Sequence, residues 1–172
     1  MPANQWENKI VGHDEVAPDQ LLAHPDNWRL HPKNQQEALA GAIDDIGFIR
    51  SVTVSKRTGR VLDGHLRVTL ALRTHQKSIP VEYVDLTEAE EAEALATLDP
   101  IAAMAAADKA KLDELMRQVQ SDDARVQQMM SDLAQKEGIV SPDFQPVGVE
   151  EQGRLDEKKK VVCPECGHEF TP

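Results

Sequence analysis

Asp63, Gly64, His65 and Arg67 crowd into five positions where the alternating pattern of "GRVLD" gives way to the helical pattern of "HLRVTLALR". An α-helix opens with unpaired backbone N–H groups and a partial positive charge, so its mouth can hold an anion. Asp63 is expected to cap the helix, and Gly64 to permit a positive φ or a close backbone approach. Arg67 can present a bidentate fork to a phosphate. His65 can donate, accept or shuttle a proton. Gly64, His65 and Arg67 are therefore candidate phosphate ligands, and His65 and Asp63 the candidate catalytic pair. The plainer alternative is a helix cap with solvated charges. A second wall is offered by "NWRLHP", where Asn27, Arg29 and His31 alternate and would share one face of an extended segment. Its alternative is a polar loop that satisfies its own backbone. His31, His65 and Asp63 include groups able to activate water or bind a metal, but no firm metal constellation is visible.

Cys163 and Cys166, the two cysteines, are spaced C-x-x-C, with His168 two residues on. The spacing points to metal or redox chemistry before a structural disulfide. "CPECGH" resembles half of a zinc ribbon, and a structural Zn²⁺ needs four ligands. A second chain, another histidine, or no completion at all are the open alternatives. A thioredoxin-like setting is absent, which disfavours the redox reading.

These groups must be held by a scaffold. "KIVGHDEVAP" reads as a first strand, and the two His-Pro pairs of "DQLLAHPDNWRLHPKN" make an ordered loop, because a residue before proline avoids the α region. "QQEALAGAIDDIGF" is a helix with an apolar stripe of Ala38, Leu39, Ala42, Ile43 and Ile46, stopped by Gly47. "SVTVSKRTGRVLDG" reads as a hairpin, "HLRVTLALRTH" as a helix and "SIPVEYVDL" as a strand. Thr87 and Glu90 have capping-box spacing, and Pro100 is expected to follow the end of the helix they open. Leu112, Leu115, Met116 and Val119 form a stripe that Val126, Met129, Met130 and Leu133 repeat 14 residues later. Asp108, and Ser121 or Asp122, are the expected caps. The pair is a helical hairpin or one long helix that dimerises, and the stripe reads as ordinary packing surface. Residues 138–160 have the composition of a flexible linker. The expected organisation is an α+β domain over residues 8–99, a helical extension over 100–137, the linker, and a zinc-knuckle-like tail over 161–172.

The net charge of −11 is uneven. Residues 1–87 carry 10 Lys/Arg against 11 Asp/Glu, whereas residues 88–172 carry 9 against 19. The C-terminal half is a poor DNA-binding face, since nonspecific affinity comes from neutralising phosphates. The N-terminal half holds Arg50, Lys56, Arg57, Arg60, Arg67, Arg73 and Lys77 within 28 positions, room for a local basic patch. No apolar run approaches the roughly 20 residues that span a bilayer. The first residues lack the features of a signal peptide, so a cytoplasmic protein without membrane association is expected.

The stretch from Leu21 to Leu86 resembles the N-terminal domain of the ParB and sulfiredoxin superfamily. The features come in order: "HPDNWRLHP", then "IDDIGFIRSVTVS", then "GRVLDGHLRVTLAL", then "SIPVEYVDL". The resemblance implies a small mixed sheet with packed helices and a nucleotide triphosphate, with Mg²⁺, at the helix mouth. Gly64 and Arg67 match the family's phosphate contacts. His65 stands where sulfiredoxins carry cysteine, so sulfinic acid reduction is not implied. Leu66 stands at the second ParB arginine, which weighs against ParB-type CTP hydrolysis. The acidic segment after Leu86 lacks the basic recognition helix of a partition protein. It resembles the helices that follow ParB-like domains in phage and mobile-element proteins, some encoded near DNA methyltransferases.

Three functions compete. The first is a ParB-like module of phage or mobile-element type that binds nucleotide or DNA, with nuclease or nucleotide hydrolase activity open. The second is a noncatalytic scaffold for a DNA methyltransferase or terminase partner. The third is a small-molecule kinase or ATPase of the same fold. A homodimer through residues 108–137 or through a shared zinc site is compatible with each.

Overall fold

A computed structural model describes residues 6–139, 161–162 and 169–170. The first unit runs to Ile139. It opens with β1 (Ile10–Val16), a 3-10 turn (Pro18–Gln20) and the two-residue β2 (Leu22–Ala23). After a loop come α1 (Lys33–Ile46), β3 (Val52–Ser55), β4 (Arg60–Asp63), α2 (His65–Arg73) and β5 (Ile79–Val84). Three helices follow: α3 (Glu88–Ala103), α4 (Lys109–Gln118) and α5 (Ala124–Glu137). The strands form one mixed sheet in the order β1-β5-β3-β4-β2. β3 and β4 are the expected antiparallel hairpin, while β5 runs parallel to β3 and antiparallel to β1. The fold is α+β, a small mixed sheet with packed helices, as expected.

Strand periodicity divides the core between the two faces of the sheet. Val52, Val54, Val61, Ile79 and Val81 face α2 and pack with its Val68 and Ala71. Leu62, next to Val61, turns the other way and packs with Val84 and with Leu95 of α3. The core is aliphatic, as the 3% aromatic content requires. Because β4 lies inside the sheet and both Val61 and Leu62 are about 1% exposed, its last residue, Asp63, is delivered to a fixed place.

The structure departs from the sequence reading at several points. The short β2 lies inside the segment read as loop, paired in parallel with β4. Ile46 belongs to the apolar stripe of α1 yet is exposed, because the helix ends there at Gly47 (φ +78°) beyond the surface it packs against. α3 does not stop before Pro100 but continues to Ala103. Proline removes one helical hydrogen bond, and the alanine-rich run after it favours the helix enough to carry it on. The Thr87–Glu90 capping box at its other end is present. The repeated stripes are two helices, α4 and α5, not one long one. Asp108 caps α4, and Asp123 rather than Ser121 or Asp122 caps α5.

In the second unit, β6 (Val161–Val162) and β7 (Glu169–Phe170) pair antiparallel. Cys163, Cys166 and His168 lie between them, outside the described residues. Residues 140–160, most of the segment read as linker, also lie outside the described residues. No helix among the described residues is long and apolar enough to cross a membrane.

Candidate functional site

β4 ends in Asp63, Gly64 turns the chain, and His65 begins α2. Gly64 has φ +98°, and a Cβ there would stand 3.0 Å from Arg67 Nη2 and 3.1 Å from Val52 Cγ2. Both the backbone and the space demand glycine. Gly64, not Asp63, occupies the N-cap position, and no side chain caps the helix. The expectation of an Asp63 cap is therefore corrected. The carboxylate is drawn away by guanidinium groups: Asp63 accepts from Arg67 at 2.8 Å and pairs with Arg29 at 3.4 Å and Arg50 at 3.5 Å. Burial pushes the Asp63 carboxyl up, but Arg67, Arg50 and Arg29 together outweigh it and hold the group below the usual carboxylate range.

Arg67 also donates to the Ser51 carbonyl at 3.3 Å, and Arg29 pairs through Nε with Asp99 of α3. Even so, Arg67 Nε and Arg29 Nη2 are buried without a hydrogen-bond partner among the described residues. A buried donor left unmade costs about 1–3 kcal/mol, so two at one place call for a reason.

His65 Nε2 accepts from the backbone N–H of His24 at 3.3 Å. In the neutral ring this places the proton on Nδ1. Burial, then the Arg29 charge, pulls the His65 pKa below its ordinary value. Asp63 is engaged by three guanidinium groups, and His65 Nε2 by the His24 N–H.

The loop that carries Arg29 is strapped to one stripe of α3. Glu91, Leu95 and Asp99 are four residues apart and share a face. Glu91 is 2% exposed, accepts from Ser55 Oγ at 2.5 Å and Thr58 Oγ1 at 3.2 Å, and faces His24 Nε2 at 3.5 Å. The Leu95 carbonyl accepts from Trp28 Nε1 at 3.0 Å. Asp99 takes Arg29. Glu91 and Asp99 lie in the acidic segment after Leu86, and neither was singled out by its sequence. The signal was the i, i+4, i+8 spacing of two carboxylates around a leucine.

A cleft of about 410 Å³ opens at this place. Arg29, His31, Arg50, Asp63, Asp99 and the start of α2 line one part, and Ala38, Leu39, Ala42 and Met129 the other. Three guanidinium groups face two carboxylates, leaving one positive charge in excess beside a helix N-terminus. His31 pairs with Gln35 at 3.1 Å. Asn27 is not part of the lining. Its Oδ1 accepts from the Arg29 N–H at 3.4 Å, which engages the side chain with its own loop. Arg50 and Met129 are lining residues that sequence reading did not assign to the site. Among the described residues no group of three or more His, Cys, Asp or Glu is placed to hold a metal.

No protein-family model matches the chain, and no curated protein matches it by sequence. Solved structures do. One is the C-terminally truncated chromosome-partitioning protein ParB from Caulobacter crescentus complexed with CTP-γ-S, at 19% identity and a TM-score of 0.49, covering 72% of this chain and 79% of that one. Two structures of a pNOB8-like ParB N-domain match at 14% and 12% identity, with TM-scores of 0.47 and 0.45. They cover 96% and 98% of this chain, which spans 59% and 56% of theirs. These three solved structures are of a ParB protein and of ParB N-domains.

Proposed function

We propose that this chain is a ParB-like, nucleotide-associated module whose cleft binds phosphate at the mouth of α2. The observation that carries the reading is the convergence of Arg29, Arg50 and Arg67 on one carboxylate beside the N-terminus of α2. A phosphate in the cleft would compete with Asp63 for these guanidinium groups, and the free N–H groups of α2 add to its hold. The order of motifs from Leu21 to Leu86 supports a nucleotide as the bearer of that phosphate. Mg²⁺ would enter with the phosphates, since the site's own carboxylates are engaged by arginine. Catalysis is not part of the proposal. The test is calorimetric titration with CTP, ATP and ADP in the presence of Mg²⁺, comparing wild type with Arg67→Ala. Binding by wild type and a loss of at least about tenfold in the variant are expected, the scale of one charge-assisted contact. No binding at millimolar nucleotide would refute the reading.

A scaffold role is the second reading. Leu30 is 93% and Ile49 80% exposed, each adjacent in sequence to an arginine of the cleft. Capture of a protein partner that is lost in Leu30→Ser and Ile49→Ser, with no nucleotide binding, would favour it.

A further inference from the structure

Gly41, on the face of α1 that meets α5, has no room for a side chain. A Cβ there would stand 3.0 Å from Asp123 Oδ1, 3.1 Å from Val126 Cγ2 and 3.2 Å from Arg125 Cβ. The first turn of α5 is therefore seated against α1 backbone. Two polar contacts pin it there: Arg125 donates to Asp44 at 2.7 Å, and Ser121 donates to Asp45. Val126 is buried at this seat. Met129, one turn further along α5, is half-buried and reaches the cleft, where it meets Ala38, Leu39 and Ala42. The polar part of the cleft suits an anion. The other part is lined mainly by aliphatic side chains, with the Gln35 amide at its edge engaged by His31.

We infer that α5 supplies the specificity wall of the cleft, and that Met129 packs against the organic, ring-bearing part of a nucleoside phosphate whose phosphates lie at Arg29 and Arg67. This rests on the proposed phosphate site and adds to it the part of the ligand that the site reads. A methionine thioether is flexible and polarisable and packs well on the faces of aromatic rings. Gly41 acts through Met129: by letting α5 sit close, it sets how far that side chain enters the cleft.

The experiment compares three probes on the full chain with Mg²⁺: CTP, ATP and inorganic tripolyphosphate, which lacks any organic part. The quantity read is the ratio of nucleotide affinity to tripolyphosphate affinity. Met129→Ala should lower the ratio for the tighter nucleotide about tenfold, the scale of roughly two methylenes of lost apolar contact. Gly41→Val, with helix content checked by circular dichroism, should lower it in the same direction by displacing α5. An unchanged ratio in Met129→Ala overturns the inference while leaving the phosphate site standing, because Arg67→Ala weakens all three probes if that site is real. A lowered ratio in Met129→Ala with an unchanged one in folded Gly41→Val overturns the role of the α5 seat. A wild-type protein that binds none of the probes overturns the phosphate site and the inference together.

Discussion

Asp63 holds the arginines in place and also competes for them, and the two roles separate in Asp63→Asn. The amide keeps the size and removes the charge on which Arg67, Arg50 and Arg29 converge. Two unit charges about 5 Å apart in a medium of effective dielectric about 20 interact by about 3 kcal/mol. The Asp63 side chain is 14% exposed and Arg50 is open to water, so solvent trims that figure. A net loss of about 2 kcal/mol of stability is expected, or roughly 6–10 °C in Tm for a unit of this size. Phosphate binding should move the other way. The excess positive charge in the cleft doubles, and removing a repelling carboxylate about 5 Å from an anion favours the anion by about 1–2 kcal/mol, roughly tenfold in Kd. Differential scanning calorimetry and titration with tripolyphosphate read the two effects on the same protein. The stability difference should also vanish in acid. The folded-state carboxyl is depressed, so its contribution is present above the ordinary carboxylate pKa and is lost as pH falls through the folded value. A variant that is less stable and also binds tripolyphosphate more weakly would refute the competition argument, and Asp63 would then be a positioning group for Arg67.

His65 gives a pH dependence of its own. Its folded pKa lies below the ordinary value, so the unfolded chain binds more protons between the two. Stability should fall on acidification from about pH 7 through that window, and less so in His65→Gln, as urea midpoints at several pH values would show. Gly64→Ala forces a side chain onto φ +98° and against Arg67 and Val52, and should cost about 1–3 kcal/mol in chemical denaturation. Glu91→Ala leaves Ser55 and Thr58 without their acceptor, at about 2–4 kcal/mol. It should also raise hydrogen exchange at residues 24–29 more than in β1, because the loop loses one strap to α3.

Local signals made much of the scaffold legible. Alternating Val52 and Val54, the turn at Thr58-Gly59, the Thr87–Glu90 box and the Gly47 stop all act within a few residues, so each element declares itself without its neighbours. Gly64 was legible for the same reason, since glycine at a strand-to-helix junction permits positive φ or a close approach. Pro100 misled because propensity is a weak prior, and the helix that surrounds it runs on regardless. The fate of the charges was of another kind. Whether Asp63 caps α2 or takes three arginines depends on where Arg29 and Arg50 arrive, and these come from loops 34 and 13 positions away in sequence. Asn27 alternates with Arg29 in the sequence, but its side chain is taken by the Arg29 N–H of its own loop. Glu91 and Asp99 were visible as acids, but their partners became known only when α3 was laid beside the loop. Met129 kept its place in a packing stripe, yet one turn of that stripe overhangs a cleft. Spacing along the chain governs which residues share an element. Which elements meet, and so which charges and surfaces face one another, is decided by how two faces of one sheet bury their valines and leucines.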